Sequence, residues 1–169
     1  RGQLIERLIG LTNNSDLTDL TDGEIKSFTL GQPISVTQLQ HCLPQIIDNS
    51  ISFDSSLCGN KLSQVIYIGF TKGNGKCKGF KLINRMLEPE HYLLLQEDYK
   101  YIADRIRKSF ECKEQLHTIN GPNNILQIRT KGSKKKDGTY TPLIYKGVTL
   151  QNKSMGFYLK AHFGKSLFK

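Results

Sequence analysis

The stretch Gln64-Val-Ile-Tyr-Ile-Gly-Phe70 is the most strand-like segment of this 169-residue chain. It is rich in β-branched and aromatic side chains, which pack well on a pleated surface. It therefore predicts a buried central strand. A turn rich in Gly and Lys follows at 72–78, and a second strand is expected at about 79–87. Upstream, residues 24–30 (EIKSFTL) alternate between polar and apolar, as a half-buried strand does.

The longest helix is predicted over residues 89–110, because apolar side chains recur there at steps of three and four residues. These positions are Leu95, Tyr99, Ile102, Ile106 and Phe110. Pro89 suits the first turn of a helix, and Glu90 suits its positive end.

The remaining elements are shorter. A helix is predicted over residues 2–9, and strands are predicted over 124–130 and 140–145. Residues 33–47 are mixed, with prolines as breakers, and a last strand or helix covers 156–168. Because strands and helices alternate irregularly and no repeat or linker is visible, the expected fold class is α/β. We expect a mixed central β-sheet flanked by helices, in a single domain over 1–169.

The composition is that of an ordinary globular protein, with 37% hydrophobic and 23% charged residues. No run of 18 apolar residues exists, so no membrane-spanning helix is expected. The four cysteines (Cys42, Cys58, Cys77 and Cys112) form no CxxC pair. Their spacing favours free thiols in a reducing cytoplasm over disulfides or a zinc site.

The net charge of +9 is concentrated at one end of the chain. Residues 129–169 hold ten basic residues and one acidic residue, whereas residues 1–128 hold 14 of each. Such an asymmetry is typical of a surface that binds a polyanion. A solvated lysine-rich tail is the alternative, but apolar residues are interleaved with these lysines and should fold.

The triplet Glu24-Ile25-Lys26 combines a carboxylate and an ammonium group that project from the same face of a strand. Asp16 precedes a turn of Thr, Asp and Gly, so it can return beside Glu24. Two carboxylates that face one point suit a hard cation such as Mg²⁺. Such an ion activates water and neutralises charge on a phosphoryl group, and a lysine can position that water. The triplet alone also fits a surface strand with a cross-charge pair.

The order of several segments resembles the MutH and Sau-type endonucleases, which belong to the PD-(D/E)xK nuclease superfamily. The first matches are residues 2–10 (GQLIERLIG), Asp16-Leu17 and residues 23–26 (GEIK). Towards the other end, residues 125–131 (ILQIRTK) are similar to the family's LQIRPK strand. Residues 156–160 (GFYLK) are similar to its GFYLK segment. The resemblance covers nearly the whole chain.

The resemblance implies the restriction-endonuclease-like fold and Mg²⁺-dependent hydrolysis of duplex DNA. It assigns Asp16 and Glu24 to the metal and Lys26 to the attacking water. Glu6 would lie near the metal and help to hold it or a bound water.

The resemblance also implies a DNA-binding set. Arg129 and Lys131 would enter the major groove, where arginine matches guanine O6 and N7. Tyr158 and Lys160 would contact the target adenine and nearby phosphates. Lys61 fits a basic position of the family. The loop lysines, which are Lys134, Lys135 and Lys136, would clamp phosphates.

Several departures keep alternatives open. The spacing from Asp16 to Glu24 is one residue longer than expected, so Asp19 competes as the metal ligand. Gly23 directly precedes Glu24, whereas the family usually has an apolar residue between the glycine and the acidic residue. Thr130 stands where the family strand has a proline. We expect that the first part of the family domain precedes Arg1.

The favoured function is a type II restriction endonuclease that cuts a short site such as GATC, as a monomer or weak dimer on DNA. A mismatch-repair nicking enzyme of MutH type and a non-catalytic DNA-binding domain are the alternatives.

Overall fold

The computed structural model describes residues 23–132 and 134–169, which form a mixed α/β structure. The predicted helix over 2–9, Glu6, Asp16 and Asp19 lie outside the described residues. None of the helices in the described part of the chain is long and apolar enough to cross a membrane.

The described strands are β1 (Glu24–Thr29), β2 (Ile34–Gln38), β3 (Gln64–Phe70), β4 (Cys77–Asn84), β5 (Ile119–Asn120), β6 (Leu126–Thr130), β7 (Leu143–Tyr145), β8 (Val148–Gln151) and β9 (Met155–Leu159). The α-helices are α1 (Leu39–Leu43), α2 (Leu57–Ser63), α3 (Pro89–Cys112) and α4 (Ala161–Ser166). A π-helical turn covers Pro44–Asp48, and a 3₁₀ turn covers Phe53–Ser55.

The strands form three hydrogen-bonded sheets within the described ranges, so the expectation of one central sheet is wrong. The first sheet has the order β1-β3-β4, in which β1 is parallel to β3 and β4 is antiparallel to it. The second is antiparallel, with the order β2-β9-β6-β5, and the third is the hairpin β7-β8. The chain turns sharply at Gly31, where φ is +83°, and β2 then pairs with β9 instead of β1.

Helix α3 confirms the predicted long helix, because its apolar stripe is buried in the core. It begins at Pro89 and ends before Lys113, whose φ of 55° is left-handed. The strand predictions for residues 24–30 and 64–70 are confirmed by β1 and β3.

Other predicted elements have different boundaries in the structure. The strand expected at about 79–87 is β4, which begins and ends earlier, and residues 156–168 contain both a strand and a helix. Residues 33–47, which are mixed in sequence, contain β2, α1 and most of the π-helical turn. Ile34 and Thr37 of β2 pair with β9, and Pro44 lies where α1 continues into the π-helical turn.

Asp98 on α3 fixes the entry into β6. This carboxylate is fully buried and accepts hydrogen bonds from three backbone N–H groups. The donors are Asn123 at 2.6 Å, Ile125 at 2.9 Å and Leu126 at 2.8 Å. Gly121 packs so tightly here that a Cβ on it would lie 2.1 Å from the Asp98 carboxyl carbon. The long helix therefore sets the position at which β6 starts.

Candidate functional site

Glu24 is the first residue of β1 and is only 1% exposed. Its two carboxylate oxygens accept from different lysines. Lys26 Nζ donates to Oε2, and Lys61 Nζ donates to Oε1. We call Glu24, Lys26 and Lys61 the ion cluster. Glu24 and Lys26 meet because residues two apart on a strand share a face.

Lys61 reaches the ion cluster through the short helix α2. Ser56 caps this helix, since its Oγ accepts from the Gly59 N–H at 3.0 Å. A Cβ on Gly59 would lie 1.8 Å from the Phe53 carbonyl oxygen, so the helix packs here only with glycine. Because α2 runs directly into β3, and Glu24 lies opposite Val65 on that strand, Lys61 is held beside the carboxylate.

The ion cluster carries more positive than negative charge. A buried carboxylate is costly to dehydrate, and two ammonium partners offset that cost. The side chains of Lys26 and Lys61 are 18% and 17% exposed, so they remain in reach of a ligand. A third lysine, Lys131, is close by: burial lowers its pKa, and the charge on Lys26 lowers it further. The surplus positive charge suits an anionic ligand such as a phosphodiester.

The second part of the site is a polar face on the sheet β2-β9-β6. It consists of Ser35, Gln127, Arg129, Lys131 and Tyr158. Ser35 and Gln127 both lie opposite Tyr158 in the strand register. The guanidinium carbon of Arg129 is 5.7 Å from the centre of the Tyr158 ring, which is a cation–π distance. Lys131 Nζ donates to Ser35 Oγ at 3.2 Å.

Tyr158 is half-buried on this face, and its pKa is raised mainly by burial. A hydrogen bond with Ser35 and the charge of Arg129 act in the opposite direction. The phenol therefore remains neutral near pH 7 and can donate or accept a hydrogen bond.

The loop lysines follow directly after the polar face. Lys134, Lys135 and Lys136 are exposed. The loop is closed by its backbone: the Lys135 N–H donates to the Thr139 carbonyl at 2.7 Å, and Gly138 N–H donates back to Lys135 at 3.0 Å. Lys153 Nζ lies 4.3 Å from the centre of the Tyr140 ring, so a further cation stands beside this loop.

Lys160 directly follows the last residue of β9. Its Nζ donates to Asn124 Oδ1, and its backbone N–H donates to the Ile125 carbonyl at 2.9 Å. It therefore ties the start of α4 to the loop that Asp98 also holds.

Of the predicted metal ligands, Glu24 alone lies within the described residues. No group of three or more His, Cys, Asp or Glu side chains in the described ranges could hold a metal ion. Glu24 contributes the one carboxylate of the ion cluster, and its oxygens are the ligands that Mg²⁺ prefers. The second predicted carboxylate, Asp16 or Asp19, and Glu6 lie outside the described residues.

The sequence did not predict the contacts that two residues, Ser35 and Lys61, make in the site. Ser35 contacts both Lys131 and Tyr158, and Lys61 pairs with Glu24 although it was expected at DNA. The polar–apolar alternation in Ile34–Gln38 was a signal for a strand that would have placed Ser35 on one face. Nothing in the local sequence links Lys61 to Glu24, because that contact depends on the pairing of β1 with β3.

A scan against protein-family models finds no match, and a search of curated proteins finds no significant relative. The function of this chain has to be inferred from the chemistry of the ion cluster and the polar face.

Proposed function

We propose that this chain is a Mg²⁺-dependent endonuclease of the type II restriction class, with GATC as the candidate site. One observation supports the proposal: Lys131, which Ser35 holds on the polar face, is near enough to the ion cluster for the charge of Lys26 to lower its pKa. A surface that reads bases would then present the adjoining phosphodiester to the ion cluster.

In the proposed reaction, Asp16 and Glu24 hold the ion. Bound Mg²⁺ supplies an activated water and neutralises charge on the phosphoryl group. Lys26 donates hydrogen bonds to the attacking water or to the developing oxyanion. Lys61 keeps the Glu24 carboxylate in place, and Glu6 lies near it.

In the proposed complex, Arg129 reads a guanine edge and Tyr158 contacts the target adenine. Arg129 lies over the Tyr158 ring, which restricts its guanidinium plane, and bidentate recognition requires such a fixed plane. The loop lysines and Lys160 contribute phosphate contacts, which orient the duplex without reading its sequence.

Digestion of a supercoiled plasmid tests the proposal. The protein is incubated with GATC-methylated and unmethylated plasmid, with Mg²⁺ or with EDTA. Discrete double-strand fragments that require Mg²⁺ are expected. Nicked circles alone would favour the repair enzyme, and binding without any cleavage would favour the non-catalytic domain.

A further inference from the structure

The polar face contains a serine hydroxyl that contacts two of its other members. Ser35 lies opposite Tyr158 in the register of β2 and β9. Its Oγ accepts a hydrogen bond from Lys131 Nζ at 3.2 Å, and it also hydrogen-bonds with the Tyr158 phenol. A serine hydroxyl has one donor and two acceptor sites, so it can serve both partners at once. Ser35 is therefore a link between the residue expected at the target adenine and a residue expected in the major groove.

The backbone of β2 places Ser35 on this face. The pairing of β2 with β9 shifts register between Ser35 and Thr37, so Val36 is an extra residue in the ladder. Such a bulge re-aims the neighbouring side chains. Val36 and Thr37 are only 5% and 7% exposed, whereas Ser35 is half-buried. The bulge thus lets the strand bury the two following residues and leave the serine hydroxyl on the polar face.

Gly156 makes room for both partners of Ser35. It lies opposite Arg129 in the register of β6 and β9. A Cβ on Gly156 would lie 3.3 Å from Tyr158 Cε2 and 3.4 Å from Lys131 Cδ. The tyrosine ring and the lysine chain therefore both lie against the glycine, and the lysine passes it to reach Ser35. A side chain at this position would press on both of them.

Lys131 is held both at its backbone and at its ammonium group. Its N–H donates to the Ser154 carbonyl at 2.7 Å, and Ser154 Oγ donates to the Lys131 carbonyl. The lysine side chain between these points is a flexible four-carbon stem. The charge of Lys26 acts on its ammonium group, and like charges repel. The hydrogen bond to Ser35 thus fixes a cation that would otherwise move away from the ion cluster.

We infer that Ser35 is a positioning residue for sequence recognition, which holds Tyr158 and Lys131 in one arrangement before the duplex binds. The inference rests on the proposed function, because it concerns the base-reading role of the polar face. Side chains that are already fixed in the bound geometry lose less freedom on binding, and this favours the sequence that fits them. Phosphate contacts carry no sequence information and depend less on this arrangement. Loss of the Ser35 hydroxyl should therefore lower the preference for the cognate duplex and leave non-specific binding unchanged.

Side-chain mobility in the free protein tests the positioning without DNA. NMR relaxation reports the ps–ns motion of the Lys131 ε-methylene group and of the Tyr158 ring. We expect Ser35→Ala to increase both motions. Ser35→Thr keeps the hydroxyl and should restore them. Thr149→Ala is the matched control, since it removes an exposed hydroxyl from β8, outside the polar face.

Titrations of a GATC duplex and a scrambled duplex test the recognition. Ser35→Ala should lower the ratio of the two affinities by about tenfold, as the loss of a hydrogen bond to a charged group does. Ser35→Thr and Thr149→Ala should keep the wild-type ratio. A wild type that binds both duplexes alike would contradict the proposed function, and the mobility measurement would then decide whether Ser35 positions the two side chains. Unchanged mobility in Ser35→Ala, or an unchanged ratio beside a wild type that discriminates, would overturn the inference.

Discussion

The ion cluster and the polar face hold their cations in opposite ways. In the ion cluster, Lys26 and Lys61 share one buried carboxylate. On the polar face, Arg129 has a tyrosine ring beside it, and Lys131 has a serine hydroxyl. A carboxylate partner neutralises a lysine and holds it in place, whereas an aromatic ring or a hydroxyl leaves the charge of the cation free to bind a ligand. Under the proposed function, the ion cluster would perform the reaction and the polar face would choose where it occurs.

The largest effect should follow from removing the second carboxylate. We expect Asp16→Ala to lower cleavage by on the order of a hundredfold or more, as the loss of a group that stabilises transition-state charge does. Asp19→Ala is the matched control and should retain most activity. Single-turnover cleavage of a labelled duplex measures both. If Asp19→Ala were inactive and Asp16→Ala retained activity, the metal ligand would be Asp19. The contrast between the ion cluster and the polar face would still hold.

A second large effect concerns the support of the polar face. Asp98→Ala leaves three backbone N–H groups without their acceptor, and each buried unpaired donor costs about 1–3 kcal/mol. We expect a loss of about 3 kcal/mol or more in the free energy of unfolding, measured by urea denaturation. Asp104→Ala on the exposed side of the same helix is the control. If the two variants were equally stable, the anchoring role of Asp98 would be wrong.

The smaller effects distinguish base reading from phosphate binding. Arg129→Ala should cost about 1–3 kcal/mol on the cognate duplex only, and non-specific binding should remain largely intact. Titrations on cognate and scrambled duplexes decide this. Equal weakening on both duplexes would make Arg129 a backbone contact.

The loop lysines provide the contrasting case. A Lys→Ala change at position 134, 135 or 136 should weaken binding to both duplexes alike. It should also reduce the salt dependence by roughly one unit per lost phosphate contact. Binding is measured at several salt concentrations. If a loop variant weakened binding to the cognate duplex alone, that lysine would read a base and would not bind a phosphate.

The sequence predicted secondary structure correctly where the pattern lies within a single helix or strand. Strand alternation in residues 24–30, the apolar run of 64–70 and the stripe of the long helix each predicted the element that forms. Sheet membership was not predictable in this way, because β2 and β9 are more than a hundred residues apart in the chain. The pairing of Glu24 with Lys26 follows from strand geometry, whereas the pairing with Lys61 and the contact of Ser35 with Lys131 need the tertiary fold.

The most direct test of the central claim compares two carboxylates that both accept hydrogen bonds from a lysine. Glu24 is buried in the ion cluster, and Asp48 is a surface residue that accepts from Lys146 and Tyr145 at 2.7 Å each. Cleavage and binding of one duplex are measured with Mg²⁺ for Glu24→Gln and Asp48→Asn. We expect Glu24→Gln to bind the duplex but to cleave it slower by on the order of a hundredfold or more, and Asp48→Asn to match the wild type. Cleavage by Glu24→Gln at the wild-type rate would contradict the assignment of the active site.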